Sequence, residues 1–488
     1  MIAPRARRIN IPLRHVALMC GAMLFALLAN VTYLQALDSE RLNEDPRNRR
    51  TTIARFESPR GRILLRDGTV VAASRRSRSV TYRYRRVYPG GRLYAPVTGH
   101  FSLHGSGGLE RAEDALLSGN DPRVRVRGLI GGTRDGATLR LTLDRGAQRA
   151  AYDGLRATGL PGAVVAIDPR TGAVLAMVSL PSYNPNLYAS FNPARLDRAD
   201  KRLRGDPADP LVNRAIQRSH PAGSTFKIVT SAAALASGRY GPGVAVSVPA
   251  SLRLPGTGTY LRERRGAACA GGEAALLQAF RSSCDTPFAK LGIELGHDAL
   301  RERAEAFGFD TDDLRIPMPV VRSVYPPATD DARTALSALG GAGVRVTPLM
   351  MAMIAATVAN DGLLMRPHLV EDVRLADDTV IERAEPSPYR RVFGAEEAER
   401  LTGMMVAVTE PGGTGVAAAV PGVKVAAETG SAGNVPPAAD HALFTGFAPA
   451  AAPRVAVGVL VEGGGEGGRV AAPIARAVIE AVLVGQAE

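Results

Sequence analysis

The chain has 488 residues, 45% hydrophobic and 22% charged, with 52 Gly and 34 Pro, enough apolar content for a full core and too much for a chain disordered throughout. Its 60 basic and 47 acidic residues leave a net charge of +13, but only Lys201, Lys227, Lys290 and Lys424 are lysines. The arginines are spread along the chain and interleaved with Asp and Glu, which argues against a nucleic-acid-binding arm and fits an anionic membrane or polymer nearby.

In chain order, residues 1–15 form a basic tail with Arg5, Arg7, Arg8 and Arg14, and residues 16–37 form the one stretch long enough to cross a bilayer. As a helix it would span roughly 33 Å at about 1.5 Å per residue. Asp38, Glu40, Glu44 and Asp45 follow it, so the positive-inside bias predicts a cytoplasmic N-terminus with nearly everything after it outside. The length of the stretch and its lack of a clear small-x-small exit favour an uncleaved anchor over the rival, a cleaved signal peptide. Of the three cysteines, Cys20 lies in the span. Cys269 and Cys284 form either one disulfide or two free thiols, and the oxidising compartment favours the bridge, worth about 3 kcal/mol in the chain-entropy model.

Residues 38–155 are rich in Arg and turns. Arg62 to Leu65 and Thr69 to Ala73 flank Arg66-Asp67-Gly68 as a strand-turn-strand pair, Val80 to Tyr88 alternates, and Gly107 to Gly119 reads as a short helix, together a mixed pedestal or interaction domain. A second domain, 156–488, opens with a hairpin of near-continuous apolar strands, Ala163 to Ile167 and Ala173 to Ser179. Helices are predicted at Ser224 to Ser237, Glu273 to Arg281, Pro287 to Leu295 and Leu349 to Ala359. Strands are predicted at Val423 to Ala427, Ala442 to Phe447 and Arg454 to Val461, then a Gly-rich loop from Glu462 to Gly468 and a closing helix, Ala472 to Val484. Strands at both ends of the domain with helices between them predict an α+β fold, one antiparallel sheet with a helical cluster against it.

The chemistry starts at Pro221-Ala222-Gly223-Ser224-Thr225-Phe226-Lys227, where a turn feeds a helix and puts Ser224 and Lys227 on one face. A serine hydroxyl needs a neighbouring base to become a nucleophile, and a desolvated lysine three residues on is one such base. Ser282-Ser283-Cys284-Asp285-Thr286 then offers a hydroxyl and a carboxylate at a break between helices. Val423 to Ala432, containing Glu428-Thr429-Gly430-Ser431, reads as a strand ending in small residues, suited to lying along an extended peptide. His100 and His104 stand at helical spacing without a carboxylate or cysteine cluster, which gives no basis for a metal site.

In this order the segments resemble the Ser-x-x-Lys, Ser-x-Asn and Lys-Thr-Gly motifs of the penicillin-binding protein transpeptidases, in particular the class B, single-anchor actinobacterial type. Arg60-Gly61-Arg62-Ile63, Tyr94 to Gly99 and Gly108-Leu109-Glu110 resemble the family's N-terminal domain. Pro181-Ser182-Tyr183-Asn184-Pro185-Asn186 and His441 to Pro449 are similar to segments of its catalytic domain. The resemblance implies a serine penicilloyl-transferase fold in which Ser224 is acylated, Lys227 is its base and Ser283 relays a proton to the leaving amine. The backbone N–H groups of Ser224 and Ser431 would form an oxyanion hole, with Asp285 and Glu428 to Ser431 binding substrate. It implies D-Ala-D-Ala stem peptides and β-lactams as ligands, a membrane glycosyltransferase and other cell-wall proteins as partners, and no cofactor or metal. Asp285 stands where the family has Asn, and Glu428 where it has Lys. A glutamate there repels the substrate carboxylate and weakens Lys227 as a base. The implied function is a D,D-transpeptidase in cell-wall synthesis, the alternative a catalytically impaired homologue acting as scaffold or sensor.

Overall fold

The computed structural model describes residues 5–36, 53–131, 135–263, 269, 271–327, 329–433 and 439–485. The acidic residues expected to follow the anchor, 38 to 45, lie outside them. The chain divides into two units, Met1–Ser58 with Arg78–Arg83, and Pro59–Ser77 with Tyr84–Glu488.

The first unit carries α1 (Arg5–Ala36), whose segment Ile11–Ala36 is long and apolar enough to cross a membrane and has none of its surface buried. That segment begins five residues before the predicted span.

In the second unit the elements that matter run as follows: β1 (Ile63–Leu64), β2 (Val70–Arg76), β3 (Tyr84–Val87), β4 (Thr138–Leu141), α2 (Arg145–Ala157), β5 (Gly162–Ile167), β6 (Val174–Leu180), α3 (Lys227–Ala236) and α4 (Asp285–Leu295). They continue with α5 (Pro348–Ala359), β7 (Val370–Arg374), β8 (Val380–Arg383), β9 (Ala426–Ala432), β10 (His441–Ala448), β11 (Val455–Val461) and α6 (Gly467–Val484).

The predicted strand-turn-strand pair is β1 against β2, in a six-stranded sheet of order β8-β7-β4-β1-β2-β3. Two of its strands come from residues 370–383, so this sheet draws on segments more than 200 residues apart, a pairing that local pattern does not announce. Of the alternating stretch Val80 to Tyr88, only Tyr84–Val87 is strand. Asn186 clasps the backbone of Tyr88 from both sides, donating to its carbonyl at 2.9 Å and accepting from its N–H at 3.0 Å, which ties β3 to the segment after the hairpin.

The five-stranded antiparallel sheet has order β9-β10-β11-β5-β6. Val164 and Ala166 of β5 pack with α2 and α6, and Ala163, Val165 and Ile167 pack with α5 and the helical cluster. Both faces are covered, so β5, β6 and β11 are apolar runs without polar alternation. Every residue of α5 is buried, as its unbroken apolar sequence requires.

Two elements of the second domain also differ from expectation. Glu273–Ala275 is a strand paired with Ala245–Ser247, and the helix starts only at Leu276, because cross-strand pairing overrides the helix preference of Glu-Ala-Ala. The third-motif strand begins at Ala426, not Val423. Its bounds are set by pairing with β10, from Ala426 opposite Phe447 to Ala432 opposite His441.

Candidate active site

Ser224 sits in a 3-10 turn, Gly223–Phe226, that runs directly into α3. The turn is fixed from three sides. Gly223 donates to the carbonyl of Gly340 at 3.1 Å, the Thr225 hydroxyl donates to the carbonyl of Ala222 at 2.6 Å, and Phe226 stacks on Tyr325 in the core. Gly223 has φ +51°, and a Cβ there would stand 2.7 Å from that of Ala432, so glycine is what lets the turn approach β9. Ser224 is half-buried in the lining of a cavity of about 650 Å³ that also holds Ser283, Asp285 and Ser431.

Lys227 lies one helical turn on and is fully buried. Its ammonium donates to the Ser283 carbonyl at 2.8 Å, the Ser283 hydroxyl at 3.2 Å and Oδ1 of Asp285 at 2.9 Å. Three protons meet three acceptors, and the Asp285 carboxylate supplies the counter-charge a buried ammonium requires. The Ser283 hydroxyl in turn donates to Oε1 of Glu428 at 2.9 Å. Lys227, Ser283 and Glu428 thus form one hydrogen-bonded chain across three separate segments.

Glu428 corrects the picture of a carboxylate projecting into the cleft. Along β9, Ala426 packs in the helical-cluster core and Ala427 in the opposite core, so Glu428, two residues after Ala426, faces the helical cluster. It is fully buried behind the cavity lining, where it orients Ser283. Thr429 is also buried, its hydroxyl donating to that of Thr414 at 2.8 Å, and the Ser431 hydroxyl accepts from the N–H of Gly467 at 3.3 Å. Gly430 packs against Thr225 beneath the turn that carries Ser224. β9 is an edge strand whose last two residues, Ser431 and Ala432, are half-buried and line the cavity, the end at which an extended peptide could pair with it.

Cys269 and Cys284 are joined, with Cα atoms 5.5 Å apart, so the bridge is the outcome for the two thiols. Cys284 separates Ser283 from Asp285, and the bond ties the second motif to the preceding loop. Ser283 itself has φ +53°, a strained value for a non-glycine residue, held by its hydrogen bonds to Lys227 and Glu428.

Sequence reasoning missed Glu263, whose Oε2 accepts from the N–H groups of Asp285 at 2.8 Å and Thr286 at 3.1 Å and caps α4. No spacing signals it, because the cap is supplied from 22 residues away. It also missed the wall Gly340-Gly341-Ala342-Gly343, whose run of small residues was the available clue.

Next in sequence to Pro221 of the cavity lining, His220 is buried, its ring 5.4 Å from that of His441. Burial, then the charges of His441 and nearby arginines, push its pKa down to about 3. Its folded value lies below the unfolded one, so stability present above about pH 6.5 is lost as pH falls toward 3. Thermal unfolding of the protein should show this acid limb, and His220→Gln should flatten it. An unchanged limb would show that His220 does not contribute to it.

The penicillin binding protein transpeptidase domain family matches residues 162–480, and the penicillin binding protein A dimerisation domain family matches residues 60–137. The chain is 42% identical over 495 residues to peptidoglycan D,D-transpeptidase PbpA of Mycolicibacterium smegmatis, covering 97% of this chain and 99% of that one. It is 41% identical to the PbpA of Mycobacterium tuberculosis, covering 98% and 100%. Among solved structures, the penicillin G acyl-enzyme complex of M. tuberculosis penicillin-binding protein A matches with TM-score 0.83 and 41% identity, over 88% of this chain and all of that one. The ceftriaxone acyl-enzyme complex of the same protein matches with TM-score 0.84 and 40% identity.

Proposed function

The chain belongs to the penicillin-binding protein transpeptidases, and from that premise we propose that it cross-links peptidoglycan stem peptides through an acyl-enzyme on Ser224. The observation that carries this reading is the convergence of Ser224, Ser283, Asp285 and Ser431 on one cavity, with Lys227 buried behind it.

In the proposed reaction Lys227 reacts from its neutral form, one ammonium proton having first been given up, and Ser224 Oγ attacks the carbonyl of the penultimate D-Ala while the freed amine lone pair takes the serine proton. The oxyanion forms against the backbone N–H groups of Ser224 and Ser431, and the substrate backbone lies along the free edge of β9. The peptide C–N bond breaks, and terminal D-Ala leaves with a proton passed from Lys227 through Ser283. An amine of a neighbouring stem then attacks the ester, loses its proton by the same relay and restores Ser224. β-Lactams stop at the first ester. Asp285 and Glu428 support this chemistry differently from the family's Asn and Lys: one balances the Lys227 charge, the other turns the Ser283 hydroxyl.

The finer readings follow the same line. Residues 1–15 form the cytoplasmic tail, 16–37 the anchor, 38–155 an interaction domain and 156–488 the catalytic domain, placed outside the membrane by the basic residues before the anchor. Since a class B chain carries no glycan polymerase, a membrane glycosyltransferase supplies the strands and docks on the anchor and residues 38–155.

One experiment addresses these points: labelling intact cells with a membrane-impermeant fluorescent penicillin, locating the adduct by peptide mass spectrometry and recovering the labelled chain in mild detergent. We expect an adduct on Ser224, none on Ser224→Ala, and a co-purifying glycan polymerase. No label even after lysis would leave the scaffold or sensor role. Label only after lysis would reverse the orientation, and absence of a polymerase would remove the partner.

A further inference from the structure

A second concavity of about 450 Å³ lies away from Ser224, between the turn after β3 and helix α2. Its lining includes Arg92, Tyr94, Arg145, Arg149, Tyr152 and Arg156. The last four stand at i, i+4, i+7 and i+11 of α2, a single helical face. All four arginines are exposed, and among the described residues none of their guanidiniums forms an ion pair. Of the carboxylates in sequence near these arginines, Asp153 stands on α2 between Arg149 and Arg156 and is exposed, leaving the arginines in excess, and two others are engaged locally. Asp67 accepts from the N–H of Thr69 in its turn, and Asp144 caps α2 by accepting from the N–H of Ala147.

The arrangement works against helix stability. Arg145 occupies the first position of α2, beside the positive end of the helix dipole, where the Asp144 cap is the one acidic group and the first turn itself holds none. Arg149 adds a like charge one turn on, which Asp153 a turn further offsets only in part, since Arg156 follows it. Departures from local preference of this kind concentrate at functional sites.

The walls are also rigid. Gln148, fully buried between Arg145 and Arg149 in sequence, donates to the carbonyl of Leu93 at 3.0 Å and to that of Met177 at 3.0 Å, and accepts from the Met177 N–H at 2.8 Å. This clamps α2 to the short helix carrying Arg92. A Cβ on Gly90 would stand 2.3 Å from the Tyr94 ring, so the glycine lets the turn close over that ring.

We propose that this concavity binds a phosphate-bearing group, with the arginines as its ligands. Guanidinium forks match phosphate oxygens in pairs, four of them match the charge of a diphosphate better than that of a single carboxylate, and the volume suits a headgroup or a short phosphorylated saccharide. The phosphate is either that of a lipid headgroup at the membrane surface or that of a soluble ligand.

The test is calorimetric titration of the full chain in neutral detergent with inorganic pyrophosphate and, separately, with short-chain phosphatidylglycerol, with short-chain phosphatidylcholine as the control. We expect saturable binding that weakens with added salt and falls about tenfold or more in Arg92→Gln and Arg149→Gln. Arg195→Gln/Arg198→Gln, which removes two exposed charges elsewhere, should bind as the parent does. Binding of both probes assigns the site to phosphate wherever it is carried, and binding of phosphatidylglycerol alone assigns it to lipid. No saturable binding of either probe, or equal weakening in the Arg195/Arg198 control, would overturn the proposal. Penicillin acylation of Ser224 should be unchanged in these variants, which separates this site from the catalytic one.

Discussion

Lys227→Met is expected to slow penicillin acylation of Ser224 by about 10²–10⁴-fold, the range that general-base catalysis supplies. Methionine keeps most of the buried volume while removing the amine proposed to take the serine proton, so the expected loss belongs to chemistry more than to packing. The side chain has no route to solvent, and water is poorly placed to substitute for it. The variant also strips donors from the Ser283 carbonyl, the Ser283 hydroxyl and Asp285, so the second motif loses its central tie. Asp285→Asn is the control. It keeps an acceptor for the Lys227 ammonium and restores the residue the family carries, so its effect should stay within about tenfold, below the general-base range. Stopped-flow acylation with a fluorescent penicillin, with circular dichroism as a check on folding, reads both. Acylation of Lys227→Met within tenfold of the parent would take the role of base away from this lysine.

Glu110→Gln should cost about 3–5 kcal/mol of stability, the range for breaking a buried ion pair from one side. The Glu110 carboxylate is fully buried and accepts from Arg60 Nε at 2.6 Å, Arg86 Nε at 2.5 Å and the Tyr88 hydroxyl at 3.1 Å. Both arginine side chains are themselves almost fully buried, so one carboxylate compensates two guanidiniums, with Asp114 assisting Arg60 at 2.7 Å. Glutamine preserves shape and leaves excess positive charge in a dry interior. Burial raises the Glu110 pKa, but Arg86 and Arg60 outweigh burial and hold it below the ordinary carboxylate value. A depressed carboxyl contributes stability above its unfolded pKa, near 4.3, and loses it as pH falls through the folded value, so Glu110→Gln should flatten that part of the acid limb. Replacing the cluster together, as Arg60→Met/Arg86→Met/Glu110→Leu, should recover much of the loss, since no charge is then stranded. Urea midpoints compare the three proteins. A loss below about 1 kcal/mol for Glu110→Gln would mean that water reaches the cluster.

The fold is legible where a feature is local. The hairpin of β5 and β6, the apolar helix α5 and the membrane-length segment of α1 are written in contiguous residues, because strand and helix periods repeat within a few positions. The order of the three motifs, with Lys227 one of only four lysines, also singled out Ser224 and Lys227. The bounds of β9 and the strand Glu273–Ala275 were not legible, because each is fixed by a partner strand elsewhere in the chain.

What the sequence by itself determined is the membrane-length apolar segment, the α+β class and the identity of the residues brought to the site. Only the tertiary structure decided what Glu428 does. From sequence it stands where the family carries lysine and reads as a charge in the cleft. In the fold it turns inward to Ser283, 145 positions away, because the two-residue alternation of β9 places it on the face toward the helical cluster. Likewise, the four arginines of the second concavity read as dispersed charge until Gln148 fixes α2 beside Leu93. Side-chain direction and long-range neighbours depend on strand pairing and helix packing, which no local window of sequence contains.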